Sequence, residues 1–217
     1  MSEFAAARET MVLSQLQPDR VSDDRVRDAM GDVPRERFVP EHLRAVAYVD
    51  EDLEIAPGRY LMEPRVFARL LQAANIDAND VVLDVGCGSG YSSAVIARLA
   101  GTVVALESDQ ALRDLATRNL EQLEADNVVV ISGDLDQGYA TKAPYDVVFI
   151  NGAVGEVPAN LVDQLSDGGR LITVVEDETV GRGTLLTSQG GQADSLTLFD
   201  AQVPYLPGFE RRAEFKF

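Results

Sequence analysis

The stretch Val81-Val82-Leu83-Asp84-Val85-Gly86-Cys87-Gly88-Ser89-Gly90-Tyr91 limits what this chain can fold into more than any other. A short apolar run leads to Asp84, glycines follow at three alternate positions, and a helix-like segment extends from Ser92 to Leu99, which predicts a strand, a tight turn and a helix start. Glycines weaken a chain locally unless the backbone needs positive φ or a ligand lies directly against it. Amides at a helix start point towards such a ligand. A bare strand-to-helix turn is the alternative reading, and it leaves the glycines without a purpose. Dinucleotide proteins use G-x-G-x-x-G, whereas this chain has D-x-G-x-G-x-G, so the spacing argues against a nicotinamide oxidoreductase.

From Val81 onwards the pattern alternates. Strands are expected at 81–85, 102–107, 128–132, 146–150 and 170–175, and helices at 89–100, 109–123 and 157–165. Runs such as Val128-Val129-Val130-Ile131 and Val147-Val148-Phe149-Ile150 are apolar throughout, as in parallel strands covered on both faces. The fold class is therefore α/β, a doubly wound, mostly parallel sheet. After Val175 the chain turns polar, and further strands at 184–188, 194–200 and 213–217, with Gly190-Gly191 and Pro207-Gly208 between them, predict an antiparallel ending to the sheet. The front reads as helical: residues 5–17 up to Pro18, then a helix capped by Ser22 or Asp23 that runs to about Met30, with Gly31 after it. Leu53 to Pro64 is a loop or short strand entering a helix striped by Val66, Leu70, Leu71 and Ala74. The expected division is an N-terminal helical extension with a substrate loop over 1–62 and a core over 63–217.

A length of 217 residues suits one α/β domain with an added segment. The net charge of −17 repels a phosphate backbone, so no nucleic-acid partner is expected. Cys87 is the sole cysteine, which excludes an internal disulfide and a cysteine-based metal cluster; no metal is expected. Met1 to Ala5 lacks a basic region followed by an apolar stretch, and no apolar run nears the ~18 residues that span a bilayer. The expectation is a soluble cytoplasmic protein without a membrane partner. His42, the single histidine, reads as structural or superficial.

In open α/β sheets the ligand lies beyond the carboxyl ends of the strands. Glu107 ends the second core strand about twenty residues after the glycine turn, placed to accept from ribose hydroxyls. Asp134 and Leu135 follow the third, where a carboxylate and an amide can meet an adenine, and Asn151-Gly152 ends the fourth. The glycine turn resembles motif I of the class I S-adenosylmethionine-dependent methyltransferases. That resemblance implies S-adenosyl-L-methionine as cofactor, contacted by Asp84, Gly86, Cys87, Gly88, Ser89, Gly90, Tyr91, Glu107, Ser108, Asp134, Leu135 and Asn151.

The front segments Met11 to Leu16, Val26 to Met30, Val33-Pro34-Arg35-Glu36-Arg37-Phe38-Val39-Pro40 and Ala47-Tyr48 narrow the resemblance, together with Gly133-Asp134, Ala143 to Asp146, Val157-Pro158 and Gly168 to Leu171. From about residue 8 to 175 the chain resembles the protein-L-isoaspartate O-methyltransferases. The resemblance implies a Rossmann-like seven-stranded core and a repair reaction in which the α-carboxylate of an isoaspartyl residue in a protein or peptide is methylated. A carboxylate is already ionised at pH 7, so methyl transfer needs alignment and desolvation rather than a base. The sequence departs from the family at the substrate loop. The family's Thr-Ile-Ser, variable residue and Pro is here Tyr60-Leu61-Met62-Glu63-Pro64. Met62 cannot donate a hydrogen bond, which leaves the Tyr60 phenol as the acceptor-contacting candidate. Glu63, set ~5 Å from an acceptor carboxylate at an effective dielectric of ~20, costs roughly 3 kcal/mol; either it points away or the acceptor differs. Two alternatives stay open: a methyltransferase with another acceptor, and a cofactor-binding paralogue without turnover.

Overall fold

A computed structural model of the chain describes residues 3–177 and 180–211. The strand expected at 213–217 lies outside the described residues. In chain order come α1 (Glu3–Met11), α2 (Asp24–Asp32), β1 (Leu53–Ala56), β2 (Arg59–Leu61), α3 (Pro64–Ala74), β3 (Val81–Val85), α4 (Tyr91–Ile96) and β4 (Thr102–Glu107). They are followed by α5 (Gln110–Gln122), β5 (Val128–Ser132), β6 (Tyr145–Val154), α6 (Ala159–Val162), β7 (Leu165–Glu176), β8 (Gly181–Gln189) and β9 (Gln192–Asp200). Strands β3 to β9 form a seven-stranded sheet in the order β5-β4-β3-β6-β7-β8-β9. The first five of these positions pair in parallel, and β8 and β9 close the sheet antiparallel.

Four of the five parallel strands bury both of their faces. The edge strand β5 does not, for its residues are at most half-buried and Val129 is 46% exposed. The apolar run Val128 to Ile131, expected to be covered on both faces, is thus covered only in part. Val82, Val103, Val147, Phe149 and Ile172 belong to one apolar cluster, and Leu83, Val104, Val148, Ile150 and Leu171 belong to the other. The first cluster also takes in Met11, Leu16, Met30, Val33 and Phe38, so the N-terminal extension shares the core of the sheet domain. An aromatic chain carries the contact: the Tyr91 ring lies 5.5 Å from that of Phe38 and 5.6 Å from that of Phe67, which in turn sits 5.5 Å from Phe149. Burial of four rings at these offsets ties the extension to the helix that leaves the glycine turn.

Several elements differ from the sequence-based expectations in extent. The first helix is α-helical only to Met11 and continues as a π-helix through Leu16. The Asp23 carboxylate caps α2 by accepting from the Arg25 amide, and α2 runs past Gly31 to Asp32. Helix α4 begins at Tyr91, after the glycine turn has used 86–90, and α6 is a single turn. β6 and β7 are longer than the apolar runs that signal them. Leu53–Ala56 and Arg59–Leu61 form an antiparallel hairpin outside the main sheet. Its alternation is too brief to register as a period, and it is held by what it packs against.

Candidate active site

The chain winds from β3 out to β4 and β5, then returns to add β6 on the other side of β3. That reversal opens a crevice beyond the strand ends. Its floor is the glycine turn. Gly86, Gly88 and Gly90 have φ of +73°, +58° and +94°, a region in which side chains are strained. A Cβ on Gly86 would lie 2.7 Å from Leu206 Cδ1, and one on Gly88 2.9 Å from Ile55 Cδ1. Gly90 serves packing instead, for its Cβ would meet Ala116 of α5 at 3.2 Å. The turn thus carries no side chain of its own towards the crevice, and Leu206 and Ile55 rest on its Gly86 and Gly88.

Two carboxylates with no solvent exposure flank the turn, Asp84 on β3 and Glu107 on β4. Asp84 accepts from the hydroxyls of Ser92 and Ser93 at the start of α4 and from the Asn151 side-chain amide. Asn151 reaches it because β6 carries an irregularity between Phe149 and Ala153, and the same amide donates to the Val85 carbonyl at 3.2 Å. Burial pushes the Asp84 carboxyl up to about 6, against the lowering effect of its three donors. Asp84 therefore clamps β3, α4 and β6 together across the reversal point.

Glu107 is held differently. The Arg59 guanidinium donates to both of its oxygens, at 2.5 and 2.7 Å, while the Gly88 and Asp109 amides donate at 2.8 and 3.0 Å. The Arg59 side chain is only 9% exposed. Arg59 belongs to β2, so the hairpin reaches across the glycine turn and grips the carboxylate expected to meet a ribose. No local motif points to Arg59, and its role depends on which way the hairpin folds.

The remaining predicted residues spread around these two carboxylates. Ser89 is buried, with its hydroxyl donating to the Phe38 carbonyl at 2.6 Å and its own carbonyl accepting from Asn119. Tyr91 is buried in the aromatic chain. Cys87 is buried and its thiol is pushed well up, first by burial and then by Asp84 and Glu107, so it stays a neutral thiol. Ser108 and Asp134 are exposed, and Leu135 is buried.

Two small pockets flank the turn. One, of about 10 Å³, is lined by Gly86, Cys87, Gly88, Ile55 and Ser92. The other, also of about 10 Å³, is lined by Arg59, Asp52, Pro204, Tyr205 and Leu206. Tyr60, Met62 and Asn151 line both, which puts the substrate-loop residues between the glycine turn and the second pocket. Tyr60 is 37% exposed and Met62 is buried. The loop is anchored by Arg35, wholly buried, which donates to the Met62 and Ala47 carbonyls at 2.7 Å each and stacks 4.9 Å from the Tyr91 ring centre. Arg35 stands in the Val33 to Pro40 segment that carries the family resemblance, yet nothing in its neighbours foretells a buried cation. The second pocket is closed by a segment after β9 that the sequence leaves unread. The Pro204 carbonyl accepts from the Ala153 amide, the Leu206 amide donates back to Ala153, and the Phe209 carbonyl accepts from Gly155.

Comparison with known proteins fits this arrangement. The family model described as protein-L-isoaspartate(D-aspartate) O-methyltransferase matches residues 7–210. The chain belongs to that family. A protein-L-isoaspartate O-methyltransferase of Koribacter versatilis is 36% identical over 208 residues, covering 96% of this chain and 94% of its own. One from Methanoculleus marisnigri is 37% identical, covering 88% of this chain and 87% of its own. Among solved structures, a protein-L-isoaspartate O-methyltransferase superposes with a TM-score of 0.80 at 27% identity over 93% of this chain and 66% of its own. A Plasmodium falciparum structure bearing the same family name and solved with S-adenosyl-L-homocysteine has a TM-score of 0.79 at 22% identity, over 95% of this chain and 99% of its own; at that identity it speaks for the fold alone. The family is one of S-adenosylmethionine-dependent O-methyltransferases, and the mostly parallel seven-stranded sheet with its antiparallel ending is the protein-L-isoaspartate O-methyltransferase fold. Among the described residues no helix is long and apolar enough to cross a membrane.

Proposed function

We propose that this protein transfers a methyl group from S-adenosylmethionine to the α-carboxylate of an isoaspartyl residue in a protein or peptide, with the substrate loop as the acceptor contact. What supports the reading is the position of Tyr60 and Met62 on the wall shared by the two pockets, within a match that spans residues 7–210. A glycine turn without side chains of its own suits a cofactor laid against the backbone once Ile55 and Leu206 move off it. Gly86, Cys87 and Gly88 would form its floor, Glu107 would accept from its ribose, and the exposed Ser108 and Asp134 together with the Leu135 amide would border the adenine. Asp84, Ser89, Asn151 and Tyr91 act by holding that floor in place, since their side chains are taken up by protein partners or buried packing. When bound, S-adenosylmethionine supplies an electrophilic methyl group on a sulfonium. The protein's own task is then to strip water from the acceptor carboxylate and align it. No proton must be moved, because the acceptor is ionised at neutral pH.

The test is transfer from labelled S-adenosylmethionine to an isoaspartyl peptide, with the aspartyl isomer as control. Labelling of the isoaspartyl form alone is expected. Labelling of neither, with cofactor binding intact in calorimetry, overturns the acceptor assignment and marks a paralogue without this activity.

A further inference from the structure

The crevice that should receive the cofactor is gripped by the protein itself. Arg59 takes both oxygens of Glu107, and its guanidinium Nη2 lies 3.4 Å from where a Gly86 Cβ would be. Ile55 from the same hairpin covers Gly88, and Leu206 covers Gly86 and Gly152. Each flanking pocket has room for only about 10 Å³, far below the ~300 Å³ at which ligand sites of this kind begin. A second fact concerns the other side of Arg59. Among the described residues it is the only cation lining the pocket behind Tyr60 and Met62, where it stands with Asp52 and uncharged residues. In the substrate loop the Leu61 and Met62 side chains have no donor for a carboxylate, which leaves the Tyr60 phenol.

We propose that Arg59 is an exchangeable clasp that becomes the acceptor-carboxylate receptor: the cofactor ribose takes Glu107, and the released guanidinium takes the isoaspartyl α-carboxylate. This rests on the function proposed above. A planar guanidinium binds one carboxylate as well as another by the same two-bond fork. A buried guanidinium without any partner is strongly unfavourable, so its release from Glu107 is costly until an acceptor carboxylate arrives. Cofactor and acceptor must therefore tighten each other's binding, by a reciprocal factor. An acceptor without a free carboxylate, such as an amine or alcohol, would leave Arg59 stranded, so the exchange also selects the substrate class.

The experiment is calorimetric titration of S-adenosylhomocysteine into the full chain, with and without isoaspartyl peptide, for the wild type, Arg59→Gln and Arg59→Lys. In the wild type the peptide is expected to tighten S-adenosylhomocysteine at least 5-fold, within the usual range of coupling between sites. In Arg59→Gln the coupling should fall to about 1, while S-adenosylhomocysteine alone binds at least 3-fold tighter because Glu107 is free. Arg59→Lys, which keeps the charge and loses the fork, should also bind S-adenosylhomocysteine more tightly, and it carries the test if the Gln variant does not fold. Weaker S-adenosylhomocysteine binding in both variants, or coupling that survives in Arg59→Gln, overturns the clasp. Methyl transfer by the wild type is scored separately. If transfer to the isoaspartyl peptide occurs and the clasp fails, the function stands; if the variants bind S-adenosylhomocysteine more tightly and no transfer occurs, the release from Glu107 stands and the acceptor assignment falls.

Discussion

Asp84 and Glu107 end neighbouring strands, both fully buried, and they are held by different parts of the chain. The partners of Asp84 are neutral and come from within the sheet domain, on α4 and β6. The charged partner of Glu107 comes from a hairpin 48 residues earlier in sequence. The first arrangement is a permanent brace, because hydroxyl and amide donors inside one packed unit have nowhere else to go. The second is an exchangeable contact, because the hairpin lies outside the main sheet and its cation can trade one carboxylate for another. Two buried carboxylates in adjoining positions thus do different work, and the origin of their partners tells them apart.

The sharpest way to break that comparison is Glu107→Ala. It leaves the Arg59 guanidinium buried and unpaired, a loss of about 4 kcal/mol, which thermal denaturation should register as a fall of roughly 8–16 °C. A second change, Arg59→Gln, should restore most of that stability, since it removes the stranded charge. Absence of rescue would show that Glu107 matters through its Gly88 and Asp109 amides instead. Asp84→Ala comes next. It strands two buried hydroxyls and an amide at about 1 kcal/mol each, so a loss of about 3 kcal/mol is expected, and no single second substitution should rescue it because its donors are neutral and distributed over two elements. Full rescue by Asn151→Ala would contradict the three-way clamp.

The smallest effect concerns Glu63, a carboxyl with acidic neighbours. Burial first, then Asp50 and Asp52, raise it from 4.5 to about 7; Asp52 is raised to about 6, chiefly by burial, while the Glu63 amide that donates to it opposes the shift. A folded-state value above the unfolded one means that the group favours folding fully below pH 4.5 and that this contribution is lost as pH rises through about 7. Glu63→Gln should then leave stability unchanged at pH 4 and raise it at pH 8. Because the side chain is partly exposed, solvent screening limits the gain to about 1 kcal/mol, or 2–4 °C. A gain of equal size at both pH values would mean that charge is not the cause. Glu63 does not line the pocket behind Tyr60 and Met62, so an acceptor bound there, as proposed, would not face it directly.

Residues 81–91 announced their strand, turn and helix because strand burial and glycine conformation are local properties, written in runs of apolar side chains and in alternate glycines. The parallel strands announced themselves in the same way, through apolar runs, although the run of the edge strand β5 is only partly covered. The hairpin, the anchoring Arg35 and the strap around Leu206 were silent. Each depends on partners at least twelve residues away in sequence, and a single arginine or leucine carries no period. The substrate-loop departure at Tyr60 and Met62 was legible as a departure, but its consequence was not, because the neighbouring Arg59 acquires meaning only when the hairpin lies across Glu107.

The sequence alone carries the α/β class, the alternation of strands and helices in the core, the glycine turn, the carboxylates near the strand ends and, through the front segments, the family. These follow from local conformational preference and from the hydrophobic pattern, which act over a few residues. Only the tertiary structure shows that Asp84 is held by neutral donors and Glu107 by a guanidinium, that the extension and the core share one apolar cluster, and that Arg59 stands between the glycine turn and the pocket behind Tyr60 and Met62. The energy of a buried charge or hydrogen bond depends on what the fold brings within about 3 Å of it, and that proximity is not written in any one stretch of chain.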